Sequence, residues 1–69
     1  MNKKNIKRKI EEYELFNNGL HMINGADVRA VNLKLTKGGI AVCDIQLISE
    51  DGVERHNNCS YDLKALGWI

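Results

Sequence analysis

The sequence predicts an α+β domain in which an N-terminal helix packs on a bent four- to five-stranded antiparallel meander. Three observations carry that reading. Ile6, Ile10, Tyr13 and Phe16 recur at helical spacing. Residues 39–48 (Gly-Ile-Ala-Val-Cys-Asp-Ile-Gln-Leu-Ile) form the longest apolar run, and a strand that is apolar at both parities belongs at the centre of its sheet. Turn signals divide the rest of the chain at Asn24-Gly25, Lys37-Gly38-Gly39 and Glu50-Asp51-Gly52.

A chain of 69 residues is one domain, 1–69, and a small one. At this size about 60% of the unfolded surface is buried, so stability is marginal unless a metal or self-association adds to it. Two cysteines cannot build a dense disulfide framework. No apolar run approaches the roughly 20 residues that cross a bilayer, and the basic N-terminus is not followed by the apolar core of a signal peptide. These features predict a cytoplasmic protein with reduced thiols and no membrane association. The net charge of +1 excludes both a wholesale acidic nucleic-acid mimic and a strongly basic binder. Asn, Lys and Ile are abundant and Pro is absent, a bias of AT-rich genomes that in so short a chain suggests a phage or other mobile element.

Taken in order, residues 3–17 read as a helix capped by Asn2 or Asn5 and stopped by Asn17-Asn18-Gly19. Its charges run against the helix dipole: Lys3, Lys4, Lys7, Arg8 and Lys9 crowd the positive end, and Glu11, Glu12 and Glu14 follow. Burial of the apolar face must therefore hold it. Residues 20–23 read as a short strand, 27–36 as a half-buried strand, 39–49 as the central strand and 53–61 as a further strand. Residues 61–66 read as one helical turn stopped by Gly67. With three-residue loops at 37–39 and 50–52, Leu35 faces Ala41, Leu33 faces Cys43 and Val31 faces Ile45. On the other side Leu47 faces Arg55, Ile45 faces Asn57 and Cys43 faces Cys59. The odd residues then share an apolar face, and Asn32, Lys34, Asp44, Gln46, Glu54, His56 and Asn58 share a polar one.

The last part of the chain, residues 53–69, is a strand leading into Tyr-Asp-Leu-Lys-Ala-Leu and a terminal Trp-Ile. With the preceding meander it resembles the SH3-like small barrels found among accessory proteins of phages and mobile elements. The likeness is one of topology, without a specific motif. One Trp, two Tyr and one Phe cannot build a polyproline groove, so peptide binding of the SH3 kind is not implied.

Four constellations bear on chemistry. His21, Cys43, His56 and Cys59 have the number of ligands for structural zinc but not the spacing, and Cys43 and Cys59 read as small buried hydrophobes. A Cys43–Cys59 disulfide requires a short Cα separation and an oxidising compartment. Asp44 and His56 are diagonal neighbours on the polar face, an acid–imidazole pair that also reads as a plain surface network. Lys37-Gly38-Gly39 lacks phosphate-loop spacing and reads as a turn.

No cofactor, metal or catalytic activity is expected. The sequence instead predicts a small non-catalytic binding protein that modulates or inhibits a host protein, for example a defence system. Asp44, Gln46, His56, Arg55 and Trp68 are its candidate protein-binding residues. The alternative is a nucleic-acid-binding small barrel that meets an anionic partner through Lys3, Lys4, Lys7, Arg8 and Lys9. A third reading is self-assembly, as a homodimer paired through sheet edges or helices.

Overall fold

The computed structural model describes residues 2–69. Helix α1 (Lys3–Asn17) is followed by a short 3-10 helix (Leu20–Met22) and by strands β1 (Asp27–Leu35), β2 (Ile40–Ser49) and β3 (Gly52–Asp62). The three strands form one antiparallel sheet in the order β1-β2-β3, and α1 lies against one face of it. Among the described residues, no helix is long and apolar enough to cross a membrane.

The helix begins where Asn2 Oδ1 accepts the Lys4 amide at 2.8 Å, which satisfies one of the free donors of the first turn. It ends at Asn18, whose amide and side chain both bond the Glu14 carbonyl, and Gly19 then turns the chain in the left-handed region at φ 70°. No acid sits in the first turn and no base in the last, so the helix's own terminal turns do not offset its dipole. Burial supplies the stability instead. Ile6 and Ile10 are 1% and 0% exposed, above a floor that includes the fully buried Ala30 and Ala41, small residues that leave room for the helix. Val28, Leu33, Cys43, Ile45, Tyr61 and Leu63 complete the core.

Two acids on α1 tie it to the sheet. Glu11 Oε2 accepts the Ala30 amide at 3.0 Å, and Glu14 Oε2 accepts the Tyr61 hydroxyl. The first bond also occupies a donor on the outer side of edge strand β1, a position that would otherwise be open to pairing.

The structure corrects the expected strand count. The sheet has three strands, not four to five, and residues 20–23 do not join it. Met22 and Ile23 donate to the carbonyls of Gly19 and Leu20, so this segment closes as a 3-10 turn. Asn24-Gly25 still makes a tight turn, with the Ala26 amide on the Ile23 carbonyl, but no strand pair flanks it. Asp51 and Glu50 form a two-residue turn because Ser49 pairs with Gly52, so the expected loop at 50–52 is one residue shorter.

The register is also corrected. Leu35↔Ala41 and Cys43↔Cys59 are opposed, but each outer strand carries one extra residue between those pairs and the far end of the sheet. On β1, Asn32 and Leu33 stand against Cys43 alone; on β3, Asn57 and Asn58 stand against Asp44 alone. Each bulge reverses which parity faces the helix. Ala30, not Val31, therefore opposes Ile45, and Val28 and Ala30 are buried while Val31 faces the other way. On β3, His56 opposes Ile45 and Glu54 opposes Leu47, in place of Asn57 and Arg55.

Truncating Ile10→Ala should cost about 2–5 kcal/mol in chemical denaturation. That approaches the whole stability expected of so small a domain, on the order of 3–10 kcal/mol, so the variant should be largely unfolded at 37 °C by circular dichroism. An unchanged denaturation midpoint would show that the helix is not held by this contact.

Candidate interaction surface

The helix covers one face of the sheet and leaves the other open. Cross-strand pairing sets the open face in rows. Arg29, Gln46 and Arg55 lie side by side across the three strands. Beside them run Asp27, Ile48 and Val53 in one row, and Val31 with Asp44 in another. The surface is thus two arginines about a glutamine, edged by aliphatic side chains, of which Val53 is 55% exposed.

Asp44 holds this face in shape. Its Oδ2 accepts from Asn32 Nδ2 and its Oδ1 from the Asn58 amide, each at 3.0 Å. Asn32 and Asn58 are the bulge residues, at φ 56° and 57°, a region that Asn tolerates better than most residues. One carboxylate therefore clamps both bulges. The Asn32 side chain, then the Asn58 amide and the charge of Arg55 hold the Asp44 carboxyl below its ordinary range.

The bulge in β3 separates two of the expected partners. His56 is carried to the helix side of the sheet, where its Nε2 lies 2.6 Å from Glu54 Oε2. There it lines a cavity of about 100 Å³ with Glu14, Asn18, Ile45 and Leu47. Asp44 and His56 are consequently on opposite faces, and the acid–imidazole pair is not formed. Of the five candidate protein-binding residues, Asp44, Gln46 and Arg55 come together and His56 does not. Trp68 is elsewhere again. It is half-buried against Tyr13 and Tyr61, with ring centroids at 5.7 and 6.4 Å, and its amide donates to the Leu63 carbonyl, so it anchors the C-terminal tail.

The basic candidates also divide. Lys4, Lys7 and Arg8 line one shallow groove with Asn5 and Glu11. Lys7 Nζ is 2.6 Å from Glu11 Oε2, whereas Lys9 stands beside Tyr13, Phe16 and Trp68. Lys3, Lys4, Arg8 and Lys9 make no ion pair among the described residues.

His21, Cys43, His56 and Cys59 do not converge. His21 stacks on Phe16 with centroids 4.4 Å apart, and among the described residues no three His, Cys, Asp or Glu are grouped to hold a metal. The bulge also places His56 and Cys59 on the same face, where Cys59 Sγ is 3.4 Å from the His56 carbonyl oxygen. Cys43 and Cys59 are directly opposed and both are free thiols. Burial, reinforced by the neighbouring Cys59 and acids, pushes the Cys43 thiol up to about 11. Tyr61 is raised further, by burial first and then by Glu14.

Arg29 was not among the candidate residues, and the roles of Asn32 and Asn58 were missed. The available signal was Asn inside otherwise regular strand patterns, a residue that favours the left-handed region. Comparison with known proteins adds no likeness: no family model, no curated protein and no solved structure matches the chain.

Two pH limits follow from these groups. Cys43 and Tyr61 have raised values in the fold, so their contribution is present below their ordinary values and is lost as pH rises through 9 towards 11 and beyond. Thermal melts should drop over that range, less steeply for Cys43→Val, and Cys59 should react with a thiol reagent before Cys43. Asp44 has a lowered value, so its contribution is present above about pH 4 and is lost as pH falls further. Asp44→Asn should lower the melting temperature at pH 7 and show less acid dependence than the native chain. Identical acid limbs for the two would remove Asp44 as the clamp.

Proposed function

We propose that this chain is a non-catalytic binding protein that acts by occupying another protein with the open face of its sheet. The observation that supports this most is the row Arg29–Gln46–Arg55, carried on three hydrogen-bonded strands and braced by Asp44. Arginine recurs among the side chains that dominate interface energetics, and a β-scaffold presents it at low ordering cost. The aliphatic flank at Val31, Ile48 and Val53 adds apolar area beside it. Asp44 serves as a structural acceptor with both oxygens engaged, which favours a bracing role over that of a general base. The compositional bias towards mobile elements makes a host protein the expected partner, with inhibition the expected effect. The likeness to SH3-like small barrels rests on the meander and on the turn and Trp68-Ile69 tail that follow β3.

A nucleic-acid reading draws on a separate observation, the groove lined by Lys4, Lys7 and Arg8. The two readings separate cleanly by experiment. In affinity capture from host lysate with nuclease treatment, Arg29→Ala/Arg55→Ala should lose a stoichiometric protein partner that Lys4→Gln/Arg8→Gln retains. The opposite pattern, with loss after nuclease and a binding constant falling steeply with salt, would move the function to the basic helix turns.

A further inference from the structure

Charge is segregated along α1. The cations occupy residues 3–9 and the acids occupy 11–14, so both ends of the helix carry charge of the wrong sign for its dipole. At the C-terminal end of α1, under the turn between β2 and β3, lies an open cleft of about 440 Å³. Leu20 and Leu47 give it an apolar lining, Val53 edges it from the open face of the sheet, and Asp51 and Glu54 provide its charge. Asn18 at the helix end also lines it, and no Lys or Arg does. Glu14 stands in the adjoining cavity, which shares Asn18 and Leu47. At the other end, roughly 20 Å away along a 15-residue helix, is the basic groove of Lys4, Lys7 and Arg8. Lys4, Arg8 and Asp51 make no ion pair among the described residues, and Glu54 is met only by His56 Nε2, at 2.6 Å.

We propose that the basic first turns of α1 in one copy dock into this acidic cleft of a second copy, giving head-to-tail self-association. The contact is complementary in two respects. The stems of Lys4 and Arg8 can lie along the aliphatic lining while their charged ends meet Asp51 and Glu54. Each helix also gains what it lacks: carboxylates reach its positive end and cations reach the negative end of its neighbour. Because the two surfaces differ, the contact is heterologous. It repeats along an open series instead of stopping at a two-fold dimer, and it leaves the Arg29–Gln46–Arg55 row of the open face free.

Sedimentation of the full chain tests this. At about 0.02 M salt the weight-average mass should rise with concentration past that of a dimer, and at about 0.5 M salt, where the Debye length falls to roughly 4 Å, it should return to the monomer. Neutralising either side, as Asp51→Asn/Glu54→Gln or as Lys4→Gln/Arg8→Gln, should weaken association by about tenfold or more. These side chains are peripheral to the core, and matching circular dichroism melts verify the fold. An equimolar mixture of the two variants retains one native pair of surfaces and should give a 1:1 dimer and nothing larger. A native chain that stays monomeric at low salt would overturn the proposal. So would association that survives both salt and neutralisation, as a sheet-edge dimer would, or a mixture that fails to recover the dimer.

Discussion

Asp44 sits on the central strand with an extra residue on each neighbouring strand beside it, and its two carboxylate oxygens hold those two irregularities in place. The consequences spread across the sheet because side chains alternate with period two. On the side of the bulges near Leu35 and Tyr61, odd residues face the helix on every strand. Beyond them the outer strands invert, so Val28 and Ala30 enter the core while Arg29 and Arg55 turn outward together. One ionised acceptor on the open face thereby determines both what is buried under the helix and what is displayed opposite it.

The helix depends on burial in a way its own sequence makes necessary. Its dipole is unsupported at both ends, and the Lys7–Glu11 pair runs in the weaker orientation, so local electrostatics contributes little. Ile6 and Ile10 over Ala30 and Ala41 provide the main attraction. Glu11 and Glu14 add direction: one binds an edge amide of β1 and the other the Tyr61 hydroxyl. Acids that look like part of a solvated charge run are therefore fasteners between layers, and that engagement is compatible with leaving the cations of the first turns free to meet something outside the chain.

The two proposals place recognition on two distinct surfaces. The open sheet face offers arginines on a rigid base, suited to a folded protein partner. The helix ends offer complementary charge, suited to another copy. The two surfaces meet only at Val53, so Arg29→Ala/Arg55→Ala and Asp51→Asn/Glu54→Gln test the two proposals independently.

Sequence alone determined the α+β class, because the helical spacing of Ile6 and Ile10 and the continuous apolar run at residues 39–48 are local signals that survive folding. It also identified the Lys37-Gly38-Gly39 turn region, the Leu35–Ala41 and Cys43–Cys59 oppositions, and the opposing charge blocks of the helix. Tertiary structure decided the rest. Residues 20–23 could not be told from a strand because four residues carry too little pattern, and the left-handed Gly19 committed them to a 3-10 turn. The positions of the bulges depended on Asp44 reaching Asn32 and Asn58, which are 12 and 14 residues away in the chain, and no local pattern encodes such a contact. A shift of one residue then moved His56 away from Asp44 and brought Arg29 and Arg55 into one row, which is why the surface was only partly legible before the fold was known.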